Sequence, residues 1–422
     1  MSDNATVELT IATLGHRGEG IAKGAEGSIF VPYALPGERV RAAVSGERGN
    51  LKAVIESSPE RIAPICRHFA DCGACAAQHM TPALYATWKR DILIRALAQA
   101  RVETSVAPLL DAHGEGRRRA VLHARLVGER SAVGYMQARA HRLVAIDECP
   151  VLAPAMGAAL ASAGEIAAVL RKVGKPLDIA VTATMTGLDI DLRGAGALDF
   201  SLRQDLVGVA DRLDLARLSN HGEIIIERRA PQIAMGAARV APPPGAFLQA
   251  TSEGERLLAA LTLEAIKGER VADLFCGVGA LALRLAERHQ VHAVEIETVA
   301  LAALARAAGE TKRLHPTSTE ARDLFRRPLT RQELRRFDAI VFDPPRAGAA
   351  AQATEIAASG VPSVVAVSCN PATFARDARL LVEGGYRFEK ATPIDQFRFS
   401  PHVEIVGVFT RPTRKRAKGL LG

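Results

Sequence analysis

Arg270-Val271-Ala272-Asp273-Leu274-Phe275-Cys276-Gly277-Val278-Gly279 is the stretch on which the fold turns. The apolar run over 270–275 reads as a strand. The Gly277-x-Gly279 turn that ends it brings backbone N–H groups, and the start of a helix over 280–287, close to a ligand above the strand. Outward from it the pattern repeats. A strand over 291–295 ends in Glu295 and precedes a helix through Ala307. Strands over 339–342 and 364–367 end in Asp343-Pro344-Pro345-Arg346 and Ser368-Cys369-Asn370-Pro371, and each precedes a further helix, while 387–391 and 404–410 read as a closing antiparallel pair. This alternation is that of an α/β, doubly wound sheet, which binds ligands at the C-terminal ends of its strands. Asp273, Glu295, Asp323, Asp343 and the thiol of Cys369 all fall there.

Toward the N-terminus the pattern changes. Short strands over 7–14, 28–33, 39–44 and 51–56, punctuated by glycines, suit a small barrel over residues 1–58. A cysteine-bearing loop over 66–75, an amphipathic helix over 82–100 and an alternating stretch over 117–233, with a helix near 153–172, make a β-rich central domain over 59–240. Pro242-Pro243-Pro244-Gly245 reads as the linker into the sheet domain, 241–422. The chain has 422 residues, 48% hydrophobic and 24% charged, ample for sizeable cores. It shows no basic-then-apolar leader and no stretch of membrane-spanning length, which predicts a cytoplasmic protein without a membrane partner. In a reducing compartment, its six unevenly spaced cysteines point to metal binding or catalysis and not to disulfides. A net charge of +8, with basic clusters at 117–119, 139–142, 326–327 and 411–418, predicts a polyanionic partner.

A carboxylate at the end of a second strand can accept hydrogen bonds from both hydroxyls of a ribose, and Glu295 stands at that place. Asp323 falls near the end of a third strand, within reach of an adenine amino group, and Asp343 ends the fourth. This order of D-x-F-x-G-x-G, E, D and D-P-P resembles class I S-adenosylmethionine-dependent methyltransferases. A dinucleotide enzyme would show G-x-G-x-x-G, whereas here Ala282 takes the last place. The resemblance implies a cofactor pocket lined by Phe275, Gly277, Gly279, Ala280, Glu295, Asp323 and Asp343.

Uracil C5 is a poor nucleophile until a thiolate adds at C6, and the C5 proton must then be removed so that the thiolate can leave. Cys369, on a loop and not inside a packed strand, fits the nucleophile. Asp343-Pro-Pro-Arg346, Ser368-Cys-Asn-Pro371, Pro401-His402-Val403-Glu404 and Phe247-Leu248-Gln249 resemble the ordered motifs of RNA uracil-5-methyltransferases. That resemblance makes Cys369 the nucleophile and Glu404 the base, with Gln249 and Asp343 on cofactor or uracil. Two positions depart from the family pattern: Thr251 where an asparagine is common, and Ala280 where a polar side chain is common.

Cys66-x5-Cys72-x2-Cys75 with Cys149 far downstream suits zinc or an iron–sulfur cluster. His68 and His79 could complete a mixed zinc site, although the chain has a single Cys-x2-Cys hook. The segments 14–22 and 30–40 resemble the TRAM domain, an OB-type RNA-binding barrel. Together with the cysteine spacing they are similar to the branch that carries a 4Fe-4S cluster and methylates 23S rRNA. The reading is therefore C5 methylation of a uridine in RNA, 23S rRNA or a pre-ribosomal particle first, by a monomer that does not act on DNA. The alternatives are a tRNA uridine methyltransferase and a non-catalytic RNA-binding assembly factor. Cytosine-5 enzymes carry a second cysteine after the proline of the fourth-strand motif, and adenine N6 enzymes an aromatic after D-P-P; this chain has neither.

Overall fold

The computed structural model describes residues 6–24, 27–127 and 130–411. Of the basic tail only Arg411 lies within the described residues. The C-terminal sheet runs, edge to edge, Thr317–Ala321, Gln290–Glu295, Arg270–Leu274, Ala339–Phe342, Ser363–Ser368, Glu404–Thr410, Arg387–Asp395 and Leu110–Asp111. The first five strands are parallel, and Glu404–Thr410 runs antiparallel to both its neighbours. Ala339–Phe342 and Ser363–Ser368 are buried along their whole length, which is why they read as unbroken apolar runs. One face is covered by Ser252–Ala265 and Thr298–Glu310, the other by Pro82–Gln99, Ala350–Ser359 and Pro371–Glu383. This is the doubly wound class I methyltransferase fold expected from the sequence. The chain leaves Arg270–Leu274 toward one edge and returns beside it with Ala339–Phe342, so the order reverses there. A ligand crevice opens above such a point.

The helix expected over 280–287 is only Ala282–Leu285. Leu281 offers no capping side chain, and the Arg288 and His289 N–H groups close the turn onto the Leu285 carbonyl at 3.0 and 2.9 Å. Four residues sum too little dipole to matter, so any anion-facing character of this turn comes from individual N–H groups.

Five strands, Thr6–Leu14, Gly20–Lys23, Ser28–Val31, Arg39–Ser45 and Arg48–Glu56, close the N-terminal barrel around Leu9, Ile11, Val31 and Val40. Gly20–Lys23 was not expected as a strand, because four residues rich in glycine and alanine carry little β signal. The barrel is tied to helix Pro82–Gln99 by Trp88 Nε1 and Arg95 Nη1, which donate to the Gly15 and Leu14 carbonyls, each at 2.9 Å. That helix in turn sends Leu93 and Leu97 into the core of the C-terminal sheet, and Leu110–Asp111 pairs with its edge strand. The central sheet has seven strands, with helices Ala159–Val169 and Phe200–Arg212 packed in its core. The second helix, capped by Asp199 on the Leu202 N–H at 2.8 Å, was not expected. Among the described residues no helix is long and apolar enough to cross a membrane.

Candidate active site

Phe275, Glu295, Asp323 and Asp343 follow or end four adjacent parallel strands, so the topology alone brings them to one rim. Phe275 is held at φ +63°, with its ring 5.4 Å from that of Phe325, and its N–H is fixed by the Val294 carbonyl at 2.9 Å. Gly277 sits at φ +54° with nothing within 4 Å of where a Cβ would project, so its face of the turn is open. Gly279, at φ +96°, is packed instead: a Cβ there would lie 2.8 Å from Leu304.

Glu295 gathers three N–H groups, those of Gly277 at 3.0 Å, Ile296 at 2.7 Å and Glu297 at 3.1 Å. Asp323 caps its own turn, accepting from Phe325 and Arg326 at 2.9 and 3.2 Å. Beneath them Asp273 is fully enclosed. Neither of its oxygens has a hydrogen-bond partner of full geometry, and burial, with Asp343 and Glu295 nearby, pushes its carboxyl far above the usual range. The open glycine turn thus follows an enclosed carboxyl pushed toward its neutral form.

The two side chains expected to be catalytic, Cys369 and Glu404, come together through strand register. Ser368 pairs with Ile405, so Cys369 emerges beside Glu404. Ser368 Oγ accepts from the Asn370 N–H at 3.2 Å, Asn370 caps helix Pro371–Glu383 on the Ala372 N–H at 3.1 Å, and Asn370 Nδ2 donates to the Arg346 carbonyl at 3.0 Å. The residues flanking the thiol thus fasten its loop to the Asp343-Pro-Pro-Arg346 loop. Burial, then Glu404 and Asp343, pushes the Cys369 thiol up to about 11, opposed by Arg346. Glu404 is buried, and burial with the Asp343 charge raises its carboxyl, while burial raises Asp343 itself. His402 is pushed down to about 4 by burial and by Arg346, whose guanidinium lies 3.2 Å from its Nε2, so it is neutral at pH 7.

Gln249 joins this group, its Nε2 donating to Asp343 Oδ2 at 3.3 Å. Its backbone is held by the central domain: Arg118 Nε donates to the Gln249 carbonyl at 3.1 Å, and the Arg118 N–H to that of Ala250 at 2.9 Å. Thr251 donates to the Ala112 carbonyl at 2.6 Å and caps helix Ser252–Ala265 on the Gly254 N–H at 2.9 Å. Its departure from the family pattern therefore serves local structure. Ala280 packs against the apolar core.

Residues 244–412 match the family model described as tRNA (Uracil-5-)-methyltransferase. An uncharacterized RNA methyltransferase of Brucella suis is 47% identical over 97% of this chain and 99% of its own. The 23S rRNA (uracil(1939)-C(5))-methyltransferase RlmD of Alkalilimnicola ehrlichii is 33% identical over 96% of both chains. The chain belongs to the RNA uracil-C5 methyltransferases. It is an S-adenosylmethionine-dependent enzyme of that family. In fold it is similar to the tRNA (uracil-54, C5)-methyltransferase of Pyrococcus abyssi, solved with S-adenosyl-L-homocysteine, at a TM-score of 0.74 and 22% identity over 96% of this chain and 99% of that one.

This methyltransferase has a second thiol group. Cys66, Cys72, Cys75 and Cys149 line one pocket with Tyr135 and Ile146. Burial pushes Cys75 up to about 12 and raises Cys72 and Cys149, each further raised by neighbouring cysteines. Among the described residues no three His, Cys, Asp or Glu side chains converge as they would on one metal ion. Of the two histidines weighed for a mixed zinc site, His68 lines the same pocket and His79 does not. His68 is paired with Asp147 at 2.9 Å, and His79 is buried against the rings of Tyr33 and Phe69. Cys276 is buried in the core of the sheet domain.

The sequence reading missed Gln396, Arg118 and His402 as members of the site. His402 carried a signal, its place two residues before Glu404. Gln396 carried none, since it follows Arg387–Asp395, a strand of mixed polar and apolar sequence.

Proposed function

We propose that the enzyme converts uridine to 5-methyluridine in RNA by covalent catalysis, with Cys369 as nucleophile and Glu404 as base. The observation that carries this is the Ser368–Ile405 register, which sets a half-buried thiol beside a buried carboxyl with Arg346 alongside. The Cys369 thiolate adds to uracil C6, and the C5=C6 electron pair moves to make C5 nucleophilic; Arg346 offsets the local negative charge. S-adenosylmethionine, when bound, supplies the electrophilic methyl group. Glu404 then takes the C5 proton, the C5–H electrons re-form the C5=C6 bond, and the C6–S bond breaks to return the thiolate. A carboxyl raised by burial is a stronger base once ionised, which suits removal of a weakly acidic proton. Glu295 is assigned to the ribose and Asp323 to the adenine. Asp343 and Gln249 hold the uracil edge or cofactor, and the Phe275-to-Ala280 turn, with the open face of Gly277, shapes the floor.

Two RNA classes have support. The family model is described by tRNA and favours that substrate over the rRNA expected from the sequence. The Alkalilimnicola relative, matched along nearly its whole length, favours 23S rRNA. The N-terminal barrel is assigned as the RNA-binding TRAM module.

We further assign Cys66, Cys72, Cys75 and Cys149 to a 4Fe-4S cluster. What supports this reading is that four soft thiolates share one pocket. A cluster binds at four separate irons. Held by four cysteines, it would leave no open position and would order the loop.

The test maps 5-methyluridine in tRNA and 23S rRNA from a deletion strain. One uridine is expected to lose its methyl group and to regain it with the wild-type protein but not with Cys369→Ala. Unchanged 5-methyluridine in both RNAs would overturn the proposal.

A further inference from the structure

Gln396 is completely buried between Gln249 and Glu404, and its amide orientation is fixed by chemistry. Its Oε1 accepts from the Ala250 backbone N–H at 2.9 Å, and a backbone N–H can only donate. The other end must therefore be the NH2 group, which donates to Gln249 Oε1 at 2.6 Å and to Glu404 Oε2 at 2.8 Å. With Gln249 Oε1 committed to that bond, its own NH2 is the end that faces Asp343. The polar chain Asp343–Gln249–Gln396–Glu404 thus has one arrangement, donated outward from Gln396 in both directions and set by a main-chain donor.

The chain is also braced. Asp395, next to Gln396, accepts from Tyr85 Oη at 2.6 Å and from Lys89 Nζ, both on helix Pro82–Gln99. Lys89 is completely buried and also donates to the Phe397 carbonyl at 3.2 Å, and the Phe399 N–H donates to Tyr85 Oη at 2.8 Å. A Cβ at Gly254 would come within 2.9 Å of Gln396 Oε1, so the amide fills space that only a glycine leaves open.

We propose that Gln396 is the positioning residue for the elimination step, aiming the Glu404 carboxylate and tying it to Gln249, so that base and uracil-edge contact are set together. The inference rests on Glu404 being the base. Its N–H is the hydrogen bond that opposes the upward push of burial on Glu404. The Lys89–Asp395–Tyr85 group extends the support to the helix that also anchors the barrel.

The experiment uses the full chain, S-adenosylmethionine with a labelled methyl group, and RNA from the deletion strain. Gln396→Met is expected to lower turnover by about 10- to 100-fold, the range of one hydrogen bond to a charged group, and to accumulate a methylated protein–RNA adduct on denaturing gels. Gln396→Glu keeps the shape and the Ala250 contact but turns an acceptor toward Glu404, and it too is expected to accumulate adduct. Calorimetry of S-adenosylmethionine binding reports on folding of each variant. In a Glu404→Gln background Gln396→Met should add little, since both act on the same step. Wild-type turnover without adduct in Gln396→Glu, or additive losses in the double variant, would overturn the inference. If Glu404→Gln itself turns over normally, the base assignment fails first.

Discussion

Cys369 and the Cys66–Cys72–Cys75–Cys149 set are thiol sites of similar partial burial with opposite surroundings. Around Cys369 stand Glu404, Asp343 and Arg346, groups that can move a proton or balance a charge. Cys75 and Cys149 respond mainly to burial, then to a hydrogen bond from Gln78 and from the Val151 backbone respectively, and to neighbouring cysteines, with Arg117 opposing at Cys149. A lone thiol beside an acid–base partner can open and close a bond, whereas four thiols turned on one another repel once ionised and need a cation to hold them. Burial thus raises both kinds of thiol, and the neighbours decide what each is for.

The sharpest way to separate the two sites is to remove one thiol at a time. Cys369→Ala is expected to lower turnover by more than about a thousandfold, as loss of a covalent nucleophile does, while leaving iron content and S-adenosylmethionine affinity unchanged. Retained turnover would place Cys369 with the structural cysteines. Any one of Cys66, Cys72, Cys75 or Cys149 changed to Ser is expected to cost bound iron and sulfide in anaerobically purified protein, and to lower the melting temperature, because a loop ordered by a cluster loses its stabilisation with it. Stoichiometric zinc without iron in the wild type would refute the cluster and leave the Cys369 chemistry standing.

Smaller changes probe the electrostatics of the catalytic side. Three charged groups face Cys369, namely Glu404, Asp343 and Arg346. Asp343→Asn removes one of the two negative charges that raise the thiol, so the pH at which iodoacetamide labels Cys369 should fall from about 11. The sign follows because a thiol is ionised as pH rises past its pKa, and losing a nearby anion favours the thiolate. No shift, or an upward one, would show that the Asp343 charge does not act on this thiol. Glu295→Ala is expected to weaken S-adenosylmethionine binding by about 1.5 to 3 kcal/mol, the worth of hydrogen bonds to a charged acceptor. Unchanged affinity by calorimetry would leave Glu295 with only its three backbone contacts, a turn-forming role.

Much of this was legible in the residues. The parallel strands declared themselves as buried apolar runs ending in Asp343 or Ser368, and Gly277 and Gly279 marked the turn above the first of them. The short helix Ala282–Leu285 was overestimated because an apolar segment that could be helical was instead closed early by its own backbone turns. Helix Phe200–Arg212 was overlooked although Asp199 supplied its cap, since its apolar stripe is thin and the surrounding strands dominate the pattern.

What the sequence determined by itself is the sheet domain and which side chains fall at its strand ends, because strand runs, glycine turns and the loops after them are local properties of the chain. Only the tertiary structure decided who stands beside whom. Cys369 meets Glu404 through an antiparallel register, Cys149 joins Cys66, Cys72 and Cys75 across a pocket, and Gln396 falls between Gln249 and Glu404. Lys89, a charged residue in the middle of its helix, is buried against Asp395. Such pairings depend on non-local packing, and a buried polar group is tolerated only where a distant segment brings it a partner.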